Sequence, residues 1–236
     1  MGVCRWHYYR GSNSIYFAIF TFVIILGFPL FLNAEVIKKF NSADAVALTF
    51  DACETKTPAY FDEEILNFII KNKIPVTIFV NKKFAERNID RLKEISKYDF
   101  IEIENHSANH YQYMQKLDNQ TIVNEVKDNE KYLIEILGVK TKFFRFPGFN
   151  YDNRSLTVVE SIGYKVVHAN LISGDPDKNV SAEKMYKYIS KKVRPGDIII
   201  FHINGRGYNT HEALPKIYES LKNKGLRPAL LSELIN

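Results

Sequence analysis

The sequence predicts a parallel α/β fold built as one domain behind an apolar leader. Three observations carry that expectation. Strand-like and helix-like stretches alternate singly from about residue 46 to the C-terminus, the order that gives a parallel sheet with crossover helices. No Pro/Gly/Ser-rich linker and no internal repeat divides the 236 residues, a length that allows one large core. Three of the strands end in polar groups able to do chemistry, at Asp51, at the His106–His110 segment and at His202. Parallel α/β folds gather their chemistry at the carboxyl ends of the strands, so one shared mouth is expected.

Taken in order, Glu35 to Asp44 is a polar approach and Val46 to Phe50 a buried strand that delivers Asp51. Phe61, Ile65, Phe68 and Ile69 recur at helical spacing, with Asp62-Glu63-Glu64 in the first turn where the helix dipole favours negative charge. Lys73-Ile74-Pro75 stops that helix. Val76 to Val80 is a strand, Phe84 to Ser96 a helix and Phe100 to Glu104 a strand. Ile122, Val126, Leu133, Ile136 and Leu137 mark a long amphipathic helix closed by Gly138. Phe143-Phe144 is a short strand, Leu156 to Ile162 a helix ended by Gly163, and Lys165 to His168 a strand. Ser181 caps a helix over 182–193, and Arg194-Pro195-Gly196-Asp197 turns into the most apolar strand, Ile198 to Phe201. Leu214, Ile217, Tyr218 and Leu221 carry a helix closed by Gly225, and a strand around Leu226 to Leu231 completes the pattern.

Residues 1–34 read as a signal peptide or signal anchor. Ile15 to Leu32 is uncharged and apolar, Arg5 and Arg10 precede it, and Asn33-Ala34-Glu35 offers a cleavage point after Ala34. Leu32 stands where a small residue is preferred, so an uncleaved anchor holding the protein to the membrane stays open, as does a buried first helix. Either membrane reading places the domain at 35–236 outside the cytoplasm, in the periplasm or the extracellular space. Without Arg5 and Arg10 the chain has 30 basic against 27 acidic side chains. That mild excess is no nucleic-acid footprint, and no protein partner is predicted. Cys4 and Cys53 would lie on opposite sides of the membrane and cannot pair.

The polar strand ends suggest a metallohydrolase. His106 and His110 are four apart, and two imidazoles at that spacing face one cation if the segment makes a helical turn. Such nitrogens suit a divalent metal, zinc first, with cobalt, nickel or manganese also compatible. Alone, the pair reads equally as solvated or capping histidines, and Asp51 as an N-cap; His202 at a third strand end strengthens the joint case. Arg145 could hold a carboxylate through a two-pronged hydrogen bond and Gly148 leave a backbone N–H open to a substrate oxygen, while the stretch reads equally as a surface arginine before a Pro-Gly turn. Asp175, or its neighbour Asp177, could orient His202, while Asp-Pro-Asp reads equally as ordinary turn chemistry. His168 reads as a satisfied core histidine and His211 as a solvated one.

Thr49-Phe50-Asp51, the His-Ser-x-x-His of 106–110, Arg145-x-Pro147, an aspartate near 175 and Ile200-Phe201-His202 resemble, in order and spacing, the NodB-homology polysaccharide deacetylases of carbohydrate esterase family 4. The resemblance covers roughly residues 44–236 and implies a distorted (β/α) barrel. It also implies metal-dependent hydrolysis of N-acetyl groups on an acetylated polysaccharide, with peptidoglycan favoured. By analogy His106 and His110 bind the metal and Asp51 is the general base. Gly148 N–H serves the oxyanion, His202 is the general acid, and Arg145 and Asp175 steady Asp51 and His202.

The chain departs from that pattern at several points. Where the family usually has two adjacent aspartates, the second a metal ligand, this chain has Asp51-Ala52-Cys53. Asp51 is then either the base, with a further water on the metal, or itself a ligand, and Cys53 or Glu54 stands near enough to substitute. In the third motif the glycine comes one place early, and the tryptophan usual in the fourth is absent, Trp6 being the only one. Two alternatives stay open beside the N-deacetylase: an O-acetyl esterase on the same scaffold, and a catalytically impaired glycan-binding domain.

Overall fold

The computed structural model of the chain describes residues 35–235. The leader read over 1–34 lies outside the described residues. Among those described, no helix is long and apolar enough to cross a membrane.

Strands and helices alternate as β1 (Ala45–Ala52), α1 (Glu63–Asn72), β2 (Val76–Val80), α2 (Lys82–Arg87), α3 (Ile89–Ile95), β3 (Ile101–Asn105), α4 (Asn119–Leu137), β4 (Phe143–Phe144), α5 (Asn153–Ser161), β5 (Lys165–Val166), β6 (Leu171–Ile172), α6 (Ala182–Lys192), β7 (Ile198–His202), α7 (Thr210–Asn223), β8 (Arg227–Pro228) and α8 (Leu231–Leu234). The strands run parallel in the order β5-β4-β3-β2-β1-β7-β6, with β8 paired to the start of β1.

The sheet curls into an incomplete (β/α) barrel, and its side-chain parity shows why. Even-numbered residues of β1 (Val46, Leu48, Phe50, Ala52) pack outward among Ile65, Ile69, Met185, Leu214 and Ile217 of the helices. The other face brings together Ala47 of β1, Phe79 of β2, Phe143 of β4 and Ile198 and Ile200 of β7. Since β4 and β7 are separated by three strands, those side chains share one cluster only if the sheet is concave. Between the open edges, Ile37 bridges to Val167 and Lys39 to Asp197, so the approach segment read as merely polar is tied across the gap.

Four elements differ from the sequence reading. The helix expected over 84–96 is broken at Asn88, whose buried side chain accepts from Phe61 N (3.3 Å) and donates to Ala59 O (3.0 Å) and Phe84 O (2.9 Å). A side chain that serves backbone groups in this way offers an alternative to continuing the helix. α5 begins at Asn153, ahead of Leu156, because Asp152 and Ser155 form a reciprocal capping box. The strand expected over 165–168 ends at Val166, and the chain re-enters the sheet as β6. The last strand is only Arg227–Pro228, followed by α8.

Candidate active site

At the carboxyl end of β1 the parallel register sets Asp51 beside His202 of β7. Asp51 is buried, and burial alone would push its carboxyl up. The charges of His106 when it is protonated, of Arg145 and of His202, with the Arg145 hydrogen bond, outweigh that and hold it below its ordinary value. Arg145, at the end of β4 and fully buried, donates from Nη1 to Asp51 Oδ1 at 2.8 Å and from Nη2 to Thr49 Oγ1 at 2.9 Å. Its guanidinium lies 4.0 Å from the centroid of the Phe79 ring, a cation–π contact in a dry setting. So the arginine pins Asp51 in one orientation, and the Thr49 hydroxyl, to which the sequence reading gave no role, completes the grip.

His202 is held by Asp175 through two bonds: its ring Nδ1 lies 2.9 Å from Oδ1, and its backbone N–H donates to Oδ2 at 2.6 Å. Ser173 Oγ and Thr210 Oγ1 donate to the same carboxylate, each at 2.9 Å. Burial lowers the His202 pKa, but the hydrogen bond and charge of Asp175, joined by the charge of Asp51, raise it above its ordinary value. Asp177 is exposed and caps its own turn by accepting from Asn179. The aspartate that orients His202 is therefore Asp175.

His106 and His110 do converge, but not through a helical turn. The segment after β3 bends through left-handed backbone at Ser107 (φ 69°) and His110 (φ 57°). Ser107 N–H donates to Asn105 Oδ1, His110 N–H to Ser107 Oγ, and Asn109 is tied to Glu125. The rings end with centroids 4.9 Å apart. His106 Nδ1 lies 2.8 Å from the carbonyl oxygen of Arg145, a bond that requires its N–H there and leaves Nε2, 3.5 Å from Asp51 Oδ2, with its lone pair toward the site. Arg145 thus fixes the Asp51 carboxylate with its side chain and a histidine tautomer with its backbone.

The donors present fit a divalent transition metal. Nδ1 of His110 is buried without a hydrogen-bond partner among the described residues. Burial first, then the neighbouring His106, pushes the His110 pKa down to about 3, and burial likewise lowers His106. Both rings are neutral near pH 7, the form a metal takes. Cys53 Sγ lies close enough that one atom each of Cys53, His106 and His110 fall within 4.8 Å of one another. Burial, with the Asp51 charge second, pushes that thiol up to about 12. Glu54, read as another substitute ligand, is engaged elsewhere: Arg87 Nε and Nη2 and Ala59 N–H hold its carboxylate.

Asp51, His110, Gly148, Asp175 and His202 line one cavity of about 260 Å³, with Cys53, Gln112, Phe149, Ile172 and Arg206 in its remaining walls. Gly148 has φ +58°, a left-handed backbone that favours glycine, and a Cβ there would displace the Gln112 side-chain amide packed against it. Gln112 had no motif to mark it. His168 stacks on Phe149 at a centroid distance of 3.4 Å and His211 sits in α7, neither among the grouped donors.

The polysaccharide deacetylase family matches residues 38–167. The chain belongs to that family. Among characterised family relatives it is similar to a bifunctional xylanase/deacetylase of Pseudobutyrivibrio xylanivorans, 26% identical over 189 residues, 80% of this chain and 30% of the relative. It is also similar to a chitin deacetylase of Pestalotiopsis sp, 23% identical over 186 residues, 77% of this chain and 60% of the relative. The chain therefore spans less than two thirds of either. A peptidoglycan N-acetylglucosamine deacetylase of solved structure superposes with TM-score 0.76 at 25% identity, over 86% of this chain and 92% of that one. A CE4 family pseudoenzyme from Bacillus anthracis superposes with TM-score 0.75 at 20% identity, over 87% of this chain and 70% of that one. Polysaccharide deacetylases and a pseudoenzyme share this fold, so activity has to be argued from the side chains of the site.

Proposed function

We propose that the chain is a metal-dependent deacetylase that hydrolyses N-acetyl groups of an amino-sugar polymer. The observation that carries this reading is the pairing at one cavity of two ionisable groups driven in opposite directions. Asp51 is held anionic and pinned by Arg145, while the neighbouring His202 is held toward its protonated form by Asp175. Groups whose surroundings separate their proton affinities are suited to divide the base and acid roles of one hydrolysis.

Asp51 takes the proton of the attacking water, and Arg145 keeps the carboxylate from turning away. His202 passes a proton to the departing sugar amine, so water and amide leave as acetate and free amine. Asp175 keeps the His202 ring fixed through Nδ1, which leaves Nε2 as the nitrogen able to donate. Gly148, in the cavity wall, offers its backbone N–H to the oxygen that gains charge. A divalent cation held by His106 and His110, zinc in first place, would supply Lewis-acid polarisation of the amide carbonyl.

The apolar, uncharged run at 15–32 after Arg5 and Arg10 supports an activity outside the cytoplasm, in the periplasm or extracellular space, anchored to the membrane if residues 1–34 are retained. Peptidoglycan is the favoured substrate; the likeness to a peptidoglycan N-acetylglucosamine deacetylase supports that choice. The test measures acetate released by the zinc-loaded chain from N-acetylglucosamine oligomers, peptidoglycan and O-acetylated xylan. Release from the N-acetylated substrates at least about tenfold faster than from xylan is expected, the 1.4 kcal/mol scale of one modest transition-state contact. Turnover of xylan alone would replace this reading with an O-acetyl esterase. No acetate from any of them, in a folded and loaded chain, would leave a glycan-binding domain.

A further inference from the structure

The carboxylate expected beside the histidine pair is replaced by Ala52, which has no donor and packs outward in the core with Phe50 and Leu48. Successive side chains at the end of a strand point to opposite faces. Asp51 and Cys53 therefore share the face that Ala52 does not, and Cys53 Sγ joins the cavity with one nitrogen of each histidine within 4.8 Å.

Each member of this trio is positioned by the chain. Asn204 Nδ2 donates to the Cys53 carbonyl at 2.6 Å and lies 3.3 Å from its sulfur. His106 is oriented through the Arg145 carbonyl. His110 Nδ1 is buried and has no hydrogen-bond partner among the described residues, and a buried polar atom of that kind calls for a ligand or water.

We propose that Cys53 Sγ is the third protein ligand of the cation, making Cys53, His106 and His110 a mixed sulfur–nitrogen site. The proposal rests on the reading that the histidine pair holds a divalent metal. When the metal binds, the S–H bond breaks, the sulfur–metal bond forms and the proton passes to solvent, so the thiolate supplies the single negative charge that a carboxylate would have supplied. Three protein donors would hold the cation with a number of protein ligands typical of catalytic rather than structural zinc. A thiolate is also a softer donor than a carboxylate, which shifts preference toward zinc and cobalt and away from manganese and magnesium.

Cobalt(II) added to the metal-free full chain tests this without reference to turnover. The wild type is expected to show visible d–d bands together with a near-ultraviolet thiolate-to-cobalt charge-transfer band. Cys53→Asp is expected to keep the d–d bands and lose the charge-transfer band. Cys53→Ser is expected to lose that band and to bind zinc more weakly, by more than the roughly 10–100-fold that loss of an outer-shell partner costs. Cobalt d–d bands without charge transfer in the wild type would overturn the role of Cys53 while leaving the histidine pair as the metal site. A folded wild type that binds no cobalt would overturn both readings.

Discussion

Asp51→Asn is expected to lower kcat for acetate release by about 10²–10⁴-fold, the range that a positioned general base contributes. The amide keeps an oxygen to accept from Arg145 Nη1 and nearly the same volume, so the cavity keeps its shape while the proton acceptor is lost. Because the Asp51 carboxyl sits below its ordinary value, it is ionised near neutral pH, and loss of activity just below neutrality would have another origin. The substitution also leaves the fully buried Arg145 without its counter-charge. Removing one partner of a buried pair costs about 3–5 kcal/mol when nothing replaces it; the asparagine oxygen reduces that cost. A lower unfolding midpoint with a retained fold, measured alongside acetate release, is the expected combination. Wild-type kcat in this variant would remove Asp51 from the chemistry.

Asp175→Asn should have the next largest effect, a fall in kcat of about 10²-fold near neutral pH with a displaced pH profile. His202 donates only when protonated. Its pKa is raised in the fold, burial opposing and Asp175 then prevailing, so the protonated form persists to higher pH than in a free imidazole. Removing the Asp175 charge lowers that pKa, and the basic limb of kcat must move to lower pH. Asp175 also anchors the His202 backbone and receives the Ser173 and Thr210 hydroxyls, so some loss of stability accompanies the change. A purely structural role would lower stability and leave the basic limb in place, which separates the two explanations.

Much of the site was legible because polar residues stand out where apolar strands end. Asp51, Asn105-His106 and His202 each follow a run of β-forming residues, and parallel topology puts such ends together whatever the details of packing. Arg145 was legible as a carboxylate clamp, yet its carbonyl contact with His106 was not, because backbone groups carry no sequence signal. The histidine spacing suggested a helical turn; the convergence instead depends on left-handed residues at Ser107 and His110, which neither residue type announces. β6 goes unread in the sequence, and β5 and β8 read as longer strands, because each has only two residues, too few for any period to show. The break at Asn88 arises from side-chain bonds to residues 59 and 61, a tertiary contact that overrides a continuous helical pattern. The side-by-side motif residues Asp51-Ala52-Cys53 read as a gap in the ligand set, and only strand parity shows which of them faces the histidines.

The central claim is that a cation bound at the histidine pair and an ionised Asp51 act on one amide. It is tested most directly by measuring metal content and acetate release from N-acetylglucosamine oligomers together, for the wild-type chain and for His106→Ala, both prepared without chelator. About one metal per chain in the wild type, as one three-donor site requires, with metal and acetate release lost together in the folded variant, is the predicted result. Acetate release at an undiminished rate from the metal-free variant, or a fully loaded wild type that releases none, would contradict the account.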